Sequence, residues 1–143
     1  MPKFKNLKSA LNYIEKAKKR SMKDVGKCIE NIMKEEIQDQ VYDRYKPTDY
    51  DRTGQFINSV EVTDITDDRI EVSWRDNGDW ESYAGNHMYV IHGHEMGKVY
   101  GATKSGYRPQ TNLVEESTRR TEREVPEELI RSLGSKGIKV IRR

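Results

Sequence analysis

At 143 residues, 34% hydrophobic and 35% charged, the chain has the length of one domain with a lean core, and two independent cores are excluded. No apolar run approaches the ~20 residues of a membrane span, so a soluble protein with no membrane partner, intracellular when made, is expected. The single cysteine, Cys28, excludes an internal disulfide framework and reads as a small buried residue on a helix.

In chain order, Phe4, Leu7, Leu11 and Ile14 repeat at spacings of three and four, and Met22, Val25, Ile29, Ile32, Ile37 and Val41 resume the pattern. This predicts an amphipathic helix from about residue 4 to about 44. Lys18, Lys19, Arg20 and Ser21 interrupt the apolar side, which predicts a break near Ser21 with Ser21 capping a second helix. Gly26 is unfavourable inside a helix by about 1 kcal/mol relative to alanine, so close packing there is expected. Pro47 stops the helical run.

From Phe56 the period changes to two. Phe56, Asn58, Val60 and Val62 alternate with Ile57, Ser59, Glu61 and Thr63, and after a turn at Thr66-Asp67-Asp68 come Ile70, Val72 and Trp74. An antiparallel hairpin with one apolar face is predicted. Asp76-Asn77-Gly78-Asp79 offers a second turn, Trp80 the start of a third strand, and Met88-Tyr89-Val90-Ile91 a further one. The rest of Gly78–Pro109, rich in glycine and tyrosine, reads as a long loop of the kind that orders on binding. Helix returns at Leu113 behind a cap at Thr111 or Asn112. Pro126 kinks it or starts a second helix, Gly134 serves as its C-cap, and Gly137–Ile141 reads as a last strand. The fold class is therefore α+β: a mostly antiparallel sheet flanked by a long N-terminal helix and a C-terminal helix. Residues 1–143 form one domain, with a helical arm over about 4–45 and the sheet, loop and closing helix over about 55–141.

The net charge of +2 is unevenly spread. Residues 1–27 hold nine Lys/Arg and two acids (+7), residues 28–79 six and fourteen (−8), and residues 80–143 eleven and eight (+3). Opposite-signed regions suit head-to-tail or stacked contacts between subunits, where complementary potential sets orientation. The basic start (Lys3, Lys5, Lys8, Lys16, Lys18, Lys19, Arg20, Lys23) is also what a nucleic-acid-binding arm would use, although only Phe4 and Tyr13 supply aromatics nearby.

Chemistry has little to stand on. His92 and His94 would share one face of a strand, with His87 and Glu95 near, but zinc takes three or four ligands and Cys28 is distant in sequence. The aspartates at Asp64, Asp67, Asp68, Asp76 and Asp79 lack calcium-loop spacing and suit turns. No phosphate-cradling glycine loop and no nucleophile elbow occurs. No metal, no cofactor and no catalytic residues are expected, and the chain does not read as an enzyme.

The order of motifs carries more information than any one of them. A basic amphipathic helix leads to Tyr45-Lys46-Pro47, then Arg52-Thr53-Gly54-Gln55-Phe56-Ile57-Asn58-Ser59-Val60, then Arg108-Pro109-Gln110-Thr111-Asn112-Leu113-Val114, and last the helix-glycine-strand of Leu129 to Val140. In this the chain resembles the tail-component family of long-tailed bacteriophages, which includes tail-completion, or head-tail joining, neck proteins. The family commonly has an aliphatic residue where Phe56 stands, and an aromatic-leucine pair where Gln110-Thr111 stands. The resemblance implies a virion protein of the neck, tail terminator or minor capsid-associated type. It would be a homo-oligomeric ring, six-membered in the virion and either a ring already or a monomer when free, placed between the head connector on the portal side and the tail tube or terminator protein. DNA would pass through the ring without specific binding. Tyr45, Arg52, Tyr83, Tyr89, Tyr100, Tyr107 and Arg108 are the expected interface residues.

Overall fold

A computed structural model describes residues 2–44, 46, 54–75, 95 and 110–141. Its spine is α1, Leu7–Ile37, which begins where Asn6 caps the helix: its Oδ1 accepts from Ser9 N at 2.9 Å, while the Ser9 hydroxyl accepts from Asn6 N at 3.4 Å. Thirty-one residues make a rod about 46 Å long. The break predicted near Ser21 does not occur. Ser21 is fully buried in mid-helix with its hydroxyl 3.0 Å from that of Ser132, so its small size serves a helix crossing rather than a cap.

The last turn widens into a π-helical segment, Gln38–Tyr42, closed by Asp43 N donating to Gln38 O at 2.8 Å. Gln40 and Val41 are both buried there. The helical run ends near its predicted place, five residues ahead of Pro47 in the sequence.

The strand predicted from Phe56 begins later. Gly54 takes a left-handed φ of 74°, which glycine adopts without strain, and opens a single helical turn, α2, Gln55–Asn58. Phe56 and Val60 are four apart, a spacing that puts two side chains on one side in either a helix or a strand, so alternation alone could not separate the two. Both are buried in the core.

Strand β1, Val60–Ile65, pairs antiparallel with β2, Ile70–Trp74. Val60 faces Trp74, Val62 faces Val72 and Ile65 faces Ile70, with an irregularity between Val62 and Asp64. The extra residue, Thr63, changes the parity of the strand. Without it Asp64, not Ile65, would follow Val62 on the apolar face. The turn is held by Thr66 N donating to Arg69 O at 2.8 Å and Arg69 N donating to Thr66 Oγ1 at 3.0 Å.

The hairpin lies on α1 at Gly26. A Cβ added there would sit 3.2 Å from Val62 Cγ2 and 3.3 Å from Ile70 Cδ1, so the expected close packing is real. Gly26→Leu should lower stability by about 1–3 kcal/mol through overpacking. A urea melt checks this, and an unchanged midpoint would contradict it.

The second long helix, α3, spans Leu113–Ser135 and packs antiparallel against α1. It runs through Pro126 as one helix, so the second start expected as one alternative does not occur. Pro126 and Glu122, whose carbonyl loses its helical bond, are both exposed, so water can take that bond. The helix ends in a Schellman motif: Ile138 N donates to Leu133 O at 3.0 Å and Gly137 N to Gly134 O at 2.9 Å. The glycine that matters is therefore Gly137, at φ 76°, and not Gly134. Beyond it, residues 138–141 form no strand, and the sheet among the described residues has two strands. The third and fourth predicted strands, at Trp80 and Met88–Ile91, lie outside the described residues.

The core is small: Met33, Ile37, Val41, Phe56, Val60 and Leu113, flanked by Ile29, Tyr42, Ile57, Val72 and Trp74. It sits at one end of α1, where α2, the hairpin and the start of α3 meet. Among the described residues, the other end of α1 carries no such cluster.

Candidate functional site

Two polar clusters fasten α3 to α1. In the upper one, Arg120 reaches from α3 and donates to Glu36 Oε1 at 3.0 Å and Glu35 Oε2 at 2.6 Å on α1, and to Glu124 Oε1 at 3.0 Å on its own helix. The bond to Glu124 and those to Glu35 and Glu36 hold the guanidinium well above its ordinary pKa. Arg120, then Arg123, hold the Glu124 carboxyl below its usual range.

The upper cluster extends to the start of α3. Gln40 donates to Glu36 Oε2 at 2.7 Å and accepts from Asn112 N at 2.8 Å. Asn112 stands at the predicted cap position without capping through its side chain. Glu95 takes that role, with Oε1 accepting from Val114 N and from the buried Thr111 hydroxyl, both at 3.4 Å. A carboxylate at this helix end also opposes the positive end of the helix dipole.

In the lower cluster, Ser132 donates to Asp24 as well as contacting Ser21, and Lys136 Nζ donates to Asp24 Oδ2 at 2.9 Å. The hydrogen bonds from Ser132 and Lys136 lower the Asp24 pKa. A carboxyl with a lowered folded-state pKa contributes stability above its unfolded value, near pH 4, and loses it as pH falls through the lowered value. We expect Asp24→Asn to melt below wild type above pH ~5, with the difference closing under pH ~3. Thermal melts across that range test this, and parallel curves would contradict it. The effect should be modest, because the Asp24 side chain is 48% exposed.

An open groove of about 360 Å³ runs along the two helices, lined by Cys28, Asn31, Glu35, Arg120, Glu128 and Arg131 among others. Burial, then Glu128 and Glu124, raise the Cys28 pKa, so its thiol is a weak nucleophile. Cys28 is half-buried rather than buried as expected. The charged groups lining the groove mostly pair with one another, and Arg120 with Glu35 fastens α3 to α1.

The uncovered end of α1 is different. Leu7 is 75% exposed, Leu11 50%, Ile14 47% and, just before the helix, Phe4 42%. Lys8, Lys16, Lys18, Lys19 and Arg20 are exposed around them. Tyr13 faces inward, donating from its hydroxyl to Lys136 O, and stacks at 5.2 Å with the Phe4 ring. Gly137 lies against Pro2, where an added Cβ would approach Pro2 Cδ to 3.0 Å. Among the described residues this arm combines exposed apolar side chains with a surround of basic ones.

The interface residues expected from the sequence, Tyr45, Arg52, Tyr83, Tyr89, Tyr100, Tyr107 and Arg108, lie outside the described residues, as do His87, His92 and His94. Among the described residues there is no group of three or more His, Cys, Asp or Glu that could hold a metal ion, and no helix long and apolar enough to cross a membrane. Sequence reasoning missed Arg120 and the Asp24–Ser132–Lys136 cluster. The available signal was Ser21 and Ser132, small polar residues within otherwise apolar helix faces.

Comparison with known proteins adds the family. No curated protein and no solved structure matches the chain. The model of the YomN family matches residues 3–135, which takes in α1, the hairpin and α3 together. The phage resemblance drawn from the motifs and this match meet at phage origin. The chain belongs to the YomN family, a phage-associated family.

Proposed function

We propose that this chain is a structural virion protein of the phage neck, a tail-completion component that joins the head connector to the tail as a ring around the DNA channel. The observation that carries the reading is the family match over nearly the whole chain, which brings a phage origin. Two further features support it. The motif order resembles that of tail-component proteins, and α1 presents a basic, apolar arm beyond the small core that the rest of the chain covers. A subunit of this kind completes its burial only in an assembly. No enzymatic activity, cofactor or metal is part of this reading. Its partners would be a portal-side connector and a tail tube or terminator protein, and its place the virion.

The rival reading is a nucleic-acid-binding domain that uses the same arm. Phosphate contacts weaken steeply with salt, so a salt-sensitive gel shift with short DNA would favour the rival. The direct test is deletion of the gene from the phage. Filled heads and separate tails under the electron microscope are expected, and normal joined virions would remove the hypothesis.

A further inference from the structure

We propose that the exposed arm of α1 docks on the acidic hairpin tip of a second copy of this chain, so that copies associate head to tail. Leu7, Leu11 and Ile14 stand 18 residues before Val25, Ile29 and Ile32, and 18 residues are about five full turns of an α-helix. The two triplets therefore lie on one line along the rod. Over the second triplet that line is covered by the chain's own fold: Val25 is 5% and Ile32 2% exposed, and Ile29 packs on the core. Over the first triplet the same line is exposed, Leu7 at 75%, Leu11 at 50% and Ile14 at 47%. The apolar line is interrupted at Lys18–Ser21 and resumes beyond it, and only its second part is covered.

Charge selects the occupant. The described residues 2–27 carry nine basic and two acidic side chains, so two arms laid together would repel. The complement is present in the same chain. At the hairpin tip, Ile65 and Ile70 are half-exposed beside Asp64, Asp67 and Asp68, with Glu71 on the outer face. Arg69 pairs with Asp64 and Arg75 with Glu61, which leaves Asp67, Asp68 and Glu71 outside any ion pair among the described residues. The unpaired acids of the tip, beside the parts of Ile65 and Ile70 that α1 leaves exposed, thus complement an apolar stripe flanked by Lys8, Lys18 and Lys19. Such a contact is heterologous, joining two different patches, and heterologous contacts close into rings or run on as filaments. This deepens the ring reading given above and names its surfaces.

The test uses the full chain in sedimentation velocity up to ~1 mM protein, at ~50 mM and ~500 mM salt, which span strong and weak screening. Leu7→Glu with Leu11→Glu removes the arm patch, and Asp67→Lys with Asp68→Lys removes the tip patch. All four positions are exposed, and circular dichroism checks that helix content is unchanged. Wild type should self-associate, with affinity falling about tenfold or more at the higher salt. Each double variant alone should be monomeric. An equimolar mixture of the two should form a dimer and nothing larger, because each retains one half of a single interface. A monomeric wild type, a variant that associates as wild type does, or a monomeric mixture would each overturn the proposal. Binding of the arm to anionic vesicles or DNA with no self-association would overturn it too. The neck assignment is judged separately by the deletion phenotype, so either can fail without the other.

Discussion

Arg120→Met should lower stability by about 2–3 kcal/mol, because it strands carboxylates that one guanidinium now serves. The Glu36 side chain is only 11% exposed and that of Arg120 19%, so solvent cannot replace the lost partner well. Glu35 is 60% exposed and should contribute little. The expected value therefore sits below the full penalty of a buried pair. Adding Glu36→Gln to Arg120→Met should restore part of the loss, and the double-mutant cycle measures how much of the effect passes through this pair. The pH dependence has a definite sign. Arg120 holds the Glu124 pKa down, so the contribution is present above the unfolded carboxyl value and fades as pH falls through the lowered one. Wild type and Arg120→Met should converge in acid, below pH ~4. Equal stability at neutral pH would mean that the Arg120 cluster contributes nothing to holding α3 on α1.

Ile37→Ala should be the most damaging apolar truncation, costing about 3–4 kcal/mol. Ile37 is 0% exposed, at the junction of Met33, Val41, Phe56, Val60 and Leu113, which belong to α1, the π-helical segment, α2, β1 and α3. Surroundings drawn from so many elements cannot all collapse onto the space left behind. With domain stabilities of about 5–15 kcal/mol, this is a large share of the whole, and the melting temperature should fall by about 10 °C. Ile37→Val, which removes one methyl group, should cost about 0.5–1.5 kcal/mol. Urea and thermal unfolding check both. A loss under 1 kcal/mol for Ile37→Ala would place the structural centre elsewhere.

The parts of the fold legible in the sequence are those set by a long, unambiguous period. The apolar repeat from Leu7 to Val41 gives α1 and the π-helical end, and Ile70, Val72 and Trp74 give β2. Gly26 was legible as a close approach, because glycine there has no other advantage. The misread places are those where a distant segment decides. Lys18–Ser21 looks like a break until α3 is seen to cross at Ala17 and Ser21, where it needs only small residues. Phe56 and Val60 fit two periods at once, and only Gly54 at positive φ selects the helical turn. Gly134 and Gly137 are both plausible helix ends, and the hydrogen bonds choose the later one. The Arg120 cluster joins residues about eighty-five positions apart, a distance at which local pattern carries no information. Of the surface, the arm was legible as charge and as apolar repeat. That its apolar line goes uncovered was not, since the same repeat in the second half of α1 is buried.

The central claim is that this chain belongs to the finished phage particle at the joint between head and tail. Immunogold electron microscopy of purified virions, with antibody raised against the chain, tests it most directly. We expect gold at the neck, between the head vertex and the first tail disc. Virions that carry no label, from cells in which the same antibody detects the protein, would contradict it.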